Sequence, residues 1–146
     1  MLNPNDLSSS TLFSALSEKE LTDVAALMSK ENYRKEELIF EQGEYGDRFY
    51  YVVSGEVRIW LQLPDGGSKE LATLGAGQCF GELALLDDLP RSADVEVKQD
   101  CELWSLRREE FLVLLRGNAA LAVKLLQVIG RRLRQADRHI QDLSAL

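Results

Sequence analysis

The chain is short of the residues on which most site chemistry is built. It holds one histidine, His139, in 146 residues. That residue falls at a solvent-side position of the last helix, so neither a histidine-ligated zinc site nor a histidine-dependent triad has material. A metal-binding cupin, the obvious enzymatic use of a small β-barrel, fails on the same ground. The two cysteines, Cys79 and Cys101, lack metal-type spacing and read as reduced, buried thiols of a cytoplasmic protein. Positive charge is also scarce: 17 Lys and Arg stand against 24 Asp and Glu, a net charge of −7. Non-specific attachment to nucleic acid or to an anionic membrane is therefore disfavoured, and any anionic ligand must be held by local donors. No apolar run approaches the ~20 residues that span a bilayer. The opening "MLNPNDLSSS" has neither the basic nor the apolar region of a signal peptide. Gly75, Gly77 and Gly81 miss the dinucleotide-binding spacing and sit in no βαβ unit. The expectation is a non-enzymatic protein with no metal and no cofactor.

What is present reads as one domain in three segments. Residues 1–31 carry a helix signal, "SEKELTDVAALM", with Ser17 and Glu20 at capping-box spacing. Residues 32–107 are short β-type runs: "ELIFEQ", "RFYYVVSGEVRIWLQL", "KELATL", "ADVEVK" and "CELWSL". Gly43, Gly46 and Gly55 punctuate them, and Asp65-Gly66 suits a primed hairpin turn. Such strands imply a β-sandwich or small barrel. Residues 108–146 are helical, with a short helix ending near Gly117 and a long one from about 118. The long helix carries two apolar stripes. Ala122, Leu126, Ile129, Leu133, Ala136, Ile140 and Leu143 follow the 3-4 alternation of a coiled-coil seam, which predicts a homodimer. Leu121, Leu125 and Val128 form the second, interrupted by Arg132. In a parallel dimer Arg132 would face Asp137 across the seam. Arg131, Arg134 and Arg138 read as a solvated face rather than a nucleic-acid patch.

The stretch "FGELALLDDLPRSADV" is where chemistry concentrates. Gly81 permits a tight turn and close backbone approach. "ELAL" is long enough for one helical turn, whose leading N–H groups favour an anion. Arg91 brings a charge-assisted fork for phosphate oxygens and Ser92 a neutral donor. Glu82 would repel a phosphate unless it had a donor of its own, such as a sugar hydroxyl. Together these describe a ribose cyclic phosphate. The alternative is an ion pair between Glu82 and Arg91 that merely closes a loop.

"FGELALLDDLPRSA" resembles the phosphate-binding cassette of the cyclic nucleotide-binding domain family. "QGEYGDRFYYVVSGEVRIW" and "LGAGQCFGE" resemble the strands leading into it, and the likeness runs from "LFSALSEKEL" to "VIGRRLRQADRHIQDL". The resemblance implies a mainly β fold with flanking α-helices, a β-roll of jelly-roll type followed by a long dimerisation helix. It also implies that Glu82 accepts from the ribose 2′-hydroxyl and that Arg91 and Ser92 hold the cyclic phosphate. Backbone amides near Gly81, Leu83 and Ala84 would complete the cradle. The last helix is similar to that of the bacterial catabolite-activator (Crp/Fnr) family, which continues into a DNA-binding helix-turn-helix. This sequence ends before such an element, so the expectation is the effector part of a transcription regulator, without nucleic-acid or membrane binding of its own. The family's iron–sulfur and haem branches lack their cysteine cluster and histidine ligand here. The adenine-contacting Thr-Ser pair of the catabolite activators falls on Ala136 and Asp137, and Asp137 can also accept from guanine. The expected ligand is cAMP; a cGMP sensor and a ligand-free dimeric interaction domain are the alternatives.

Overall fold

The structure, a computed structural model, describes residues 2–144, and side chains as far as Arg138. His139, Ile140 and Leu143 therefore carry sequence expectations whose side chains lie outside the described residues. Helix α1 spans Glu18–Ala25, α2 Arg108–Arg116 and α3 Ala119–Ser144. The strands are β1 Ser29–Tyr33, β2 Leu38–Phe40, β3 Arg48–Gln62, β4 Ser68–Leu74, β5 Cys79–Phe80 and β6 Asp94–Arg107. All pairings are antiparallel, in the order β1-β6-β3-β4, with β2 on β6 and β5 on β3.

Three expectations about the strands change. "ADVEVK" and "CELWSL" are one strand, β6, because Gln99 stays paired opposite Glu56 and the Cys101 thiol donates to the Gln99 and Glu56 carbonyls. Gly55 does not end a strand but sits in an irregularity of β3, between the register shifts at 52–57. A Cβ on Gly55 would lie 2.1 Å from the Asp100 carbonyl oxygen, so only glycine lets the two strands stay in contact there. The hairpin turn is not of the primed kind, since Asp65 keeps a negative φ and only Gly66 is positive. Pro64 presets an ordinary turn from Leu63 to Gly66, closed by the Gly66 N–H on the Leu63 carbonyl at 3.0 Å.

The β3 irregularity also divides the core. Before it, Phe49 and Tyr51 face the helices while Tyr50 and Val52 face the interior of the roll. After it the parity flips, and Val57 and Ile59 point inward. The roll interior is completed by Phe80, Val95, Val97, Cys101 and Leu103. On the other face Phe13 packs edge-on against Phe49 and Phe111, at 5.3 and 5.7 Å. Truncating a fully buried ring of this kind costs ~3–5 kcal/mol. Leu121, Leu125 and Val128 are buried, so the second stripe of α3 packs on the domain. Leu126 and Leu133, on the other stripe, are 67% and 61% exposed.

The predicted capping box forms: Ser17 Oγ accepts from the Glu20 N–H, and Glu20 accepts from the Ser17 N–H. Glu20 is buried and also takes a hydrogen bond from Lys124 Nζ, which ties α1 to α3. The lysine bond, then the Ser17 N–H, holds this carboxyl below the usual range. Its stabilising effect is therefore present above the unfolded-state pKa and lost as pH falls through the lower folded-state value. Glu20→Gln should cost ~1–2 kcal/mol at pH 7. In urea titrations that gap should close below about pH 4; a gap independent of pH would contradict the ion pair.

Candidate functional site

A cleft of about 390 Å³ opens on the roll between β5, the residues that follow it, and α3. That volume lies in the ~300–1,000 Å³ range of small-molecule sites. Its walls include Gly81, Glu82, Leu83, Ala84, Arg91 and Ser92, so six of the seven sequence-derived site residues meet there. The seventh, Asp137, is exposed on α3 and does not line the cleft. "ELAL" forms a single 3-10 turn, Glu82–Leu85, entered through Gly81 at φ 77°. The Ala84 N–H is already taken by the Gly81 carbonyl, at 3.2 Å.

Arg91 is held from several sides. Its own N–H donates to the Glu44 carbonyl at 2.7 Å, and its carbonyl accepts from Gly43 at 2.9 Å. This clips the cassette to the β2–β3 loop. The guanidinium lies 4.0 Å from the centroid of the Phe40 ring, and Nη2 donates to the Arg48 carbonyl at 2.9 Å. Stacking of this kind is worth ~0.5–2 kcal/mol. Glycine is needed on both flanks: a Cβ on Gly46 would fall 1.9 Å from Arg91 Nε, and one on Gly81 2.9 Å from Nη1. Burial lowers the Arg91 pKa from its ordinary value, the expected response of a cation moved out of water.

Glu82 and Arg91 do not pair with each other. The Arg91 Nε and Glu82 Oε2 atoms are both buried without a hydrogen-bond partner. The nearest cation to Glu82 is Arg132 of α3, whose Nη1 is 3.8 Å from Oε2, an ion-pair distance too long for a hydrogen bond. Arg132 thus lines the cleft. Buried polar atoms without partners are rare in native proteins and call for an explanation; Ser10 Oγ and Arg58 Nε share the condition elsewhere, but only Arg91 and Glu82 do so on the walls of one cleft. Two basic side chains, Arg91 and Arg132, two acidic ones, Glu82 and Asp87, the Ser92 hydroxyl and a rim of Leu83, Leu89, Ile59 and Phe40 suit a ligand with an anionic end, a hydroxyl and an apolar ring.

A family model, the cyclic nucleotide-binding domain, matches residues 30–118, which include every strand from β2 to β6 and the whole cassette. The chain belongs to the cyclic nucleotide-binding domain family. It is 38% identical over 135 residues to the Cyclic AMP receptor protein of Thermus thermophilus, covering 92% of this chain and 62% of that one. It is 32% identical over 105 residues to the CRP-like cAMP-activated global transcriptional regulator of Mycobacterium tuberculosis, covering 72% and 47%. The chain thus spans only about half to three fifths of these relatives' lengths. The N-terminal domain of a transcriptional regulator from Streptomyces coelicolor superposes with a TM-score of 0.86 at 30% identity, covering 92% of this chain and 94% of that one.

Within this cyclic nucleotide-binding fold, sequence reasoning missed Phe40, Gly46 and Arg132 as parts of the site. Gly46 and Phe40 reach it from the β2–β3 region, and nothing in their local spacing points to Arg91. The interruption of an apolar stripe by Arg132 was the one available signal. The cysteines take no part. Cys79 is half-buried, with burial pushing its thiol to about 12, and Cys101 is buried and hydrogen-bonded to carbonyls.

A half-buried guanidinium with no carboxylate at ion-pair distance among the described residues costs folding energy rather than supplying it. Arg91→Leu is therefore expected to leave the ligand-free protein within ~1 kcal/mol of the parent, or more stable, in urea denaturation. A loss above ~2 kcal/mol would make Arg91 a structural strut instead.

Proposed function

We propose that the chain is a non-enzymatic sensor of a cyclic mononucleotide, with cAMP as its preferred ligand, and that it acts as the effector part of a transcription regulator. The observation that carries this reading is the pair of unanswered buried atoms, Arg91 Nε and Glu82 Oε2, on walls of one cleft. A ligand-free interaction domain would have these two charges neutralise each other. In the proposed complex Arg91 and Ser92 hold the cyclic phosphate, with the Glu82 and Leu83 N–H groups that lead the 3-10 turn beside them. Glu82 accepts from the ribose 2′-hydroxyl, and the base lies along the rim of Leu83, Leu89 and Ile59. The effector role and the ligand follow the named cAMP-responsive relatives.

Output passes through α3. Arg132 approaches Glu82 across the cleft, so a ribose that engages the carboxylate competes with it and alters the position of the helix. Ligand and helix are then linked by differential contacts, as a population shift requires. We assign the stripe of Ala122, Leu126, Ile129, Leu133 and Ala136, half-buried at Ala122 and Ile129 and exposed at the other three, to a parallel homodimer. Asp137 reaches a base only when α3 closes over the cleft. The preference for cAMP follows the cAMP-responsive relatives.

Isothermal titration should show cAMP binding more tightly than cGMP by ~1–2 kcal/mol, the scale of one differential hydrogen bond. Arg91→Leu should weaken cAMP on the order of 100-fold, since it leaves the phosphate unpaired. Equal binding by parent and Arg91→Leu would remove the cassette from the account. For the dimer, replacing Leu126 and Leu133 together by Asp puts charge into the seam. Sedimentation should then report a monomer, and an unchanged dimer would place the interface elsewhere.

A further inference from the structure

One side chain holds the cradle together without lining it. Arg108 is the first residue of α2, and its backbone N–H donates to the Asp47 carbonyl at 2.7 Å. Its guanidinium lies behind the cassette, in a separate depression lined by Asp47, Glu109, Leu112 and Arg116. From there Nη1 donates to three backbone carbonyls: Gly46 at 3.2 Å, Ala84 at 3.2 Å and Asp87 at 2.6 Å. Nη2 reaches Asp88 Oδ1 at 3.1 Å. The Gly46 carbonyl belongs to the loop that flanks Arg91. Those of Ala84 and Asp87 belong to the 3-10 turn that carries Glu82 and to the residues just after it. A planar guanidinium presents its donors in a fixed fork, so it sets the distance between the two segments in a way that a flexible ammonium does not.

We propose that Arg108 is the positioning residue of this site: it fixes the Glu82 wall relative to the Arg91 wall, so that the 2′-hydroxyl and the cyclic phosphate are gripped at once. The assignment rests on the reading of the cleft as a cyclic nucleotide site. It also gives α2, which packs on α3, a direct hold on the cradle. Movement of α2 changes the spacing of the two walls, and a nucleotide that fixes the spacing restrains α2.

The test compares cAMP with 2′-deoxy-cAMP, which lacks the hydroxyl that Glu82 accepts from. In the parent, cAMP should bind about tenfold more tightly than the deoxy analogue, the value of one hydrogen bond to a charged group. In Arg108→Met, which keeps the length of the side chain and removes its donors, cAMP affinity should fall and the ratio should drop to below about threefold. Arg108→Lys should give an intermediate ratio. A merely structural loss weakens both nucleotides alike and leaves the ratio unchanged, so an unchanged ratio overturns the proposal. Should Arg108→Met fail to fold by circular dichroism, the Arg108→Lys ratio decides in the same way. A parent that binds neither nucleotide overturns the reading of the site, and this assignment with it.

Discussion

Arg91 sits between two glycines, against the face of Phe40, with one N–H on a backbone carbonyl and its Nε unanswered. Holding a cation in that state with no carboxylate at ion-pair distance among the described residues is the constraint on which much of the roll depends. Water is partly excluded and the overall charge of the chain is negative, so an incoming anion meets a fixed local charge in a medium of reduced screening. The β2–β3 loop is clipped to residues 90 and 91 by two backbone hydrogen bonds and by the Tyr45–Pro90 bridge. The same loop supplies Gly46, whose missing side chain makes the space that the guanidinium fills.

The helices connect this site to the rest of the molecule. The first turns of α3 are fastened by Leu121, Leu125 and Val128 in the core and by the Lys124–Glu20 pair. Beyond Val128, contact with the domain passes to Arg132 at the mouth of the cleft, while Leu133 on the other side is exposed. One part of the helix is thus anchored, and the next borders the cleft on one side and solvent on the other.

Local patterns were legible in the sequence wherever the information was local. The Ser17–Glu20 capping box, the end of α2 at Gly117 and the two stripes of α3 follow from spacing alone. The cassette was legible because its Gly81, Glu82, Arg91 and Ser92 lie within a dozen residues. What remained hidden depends on contacts between distant segments. The merging of two runs into β6 needs the pairing of Gln99 with Glu56, and the hairpin turn was governed by Pro64 rather than by the Asp-Gly pair after it. Arg108 was invisible because three of its four partners are backbone carbonyls, which leave no mark on side-chain pattern. Asp137 shows the converse: aligning the chain on a family motif gives it a role that its exposed position on α3 does not itself supply.

A crystal structure of the chain with cAMP tests the central claim most directly. The account predicts phosphate oxygens within hydrogen-bond distance of Arg91 and Ser92, a Glu82 oxygen on the ribose 2′-hydroxyl, and Arg132 displaced from Glu82. A nucleotide bound away from Arg91, or Glu82 and Arg91 paired with each other while the ligand lies elsewhere, would contradict it.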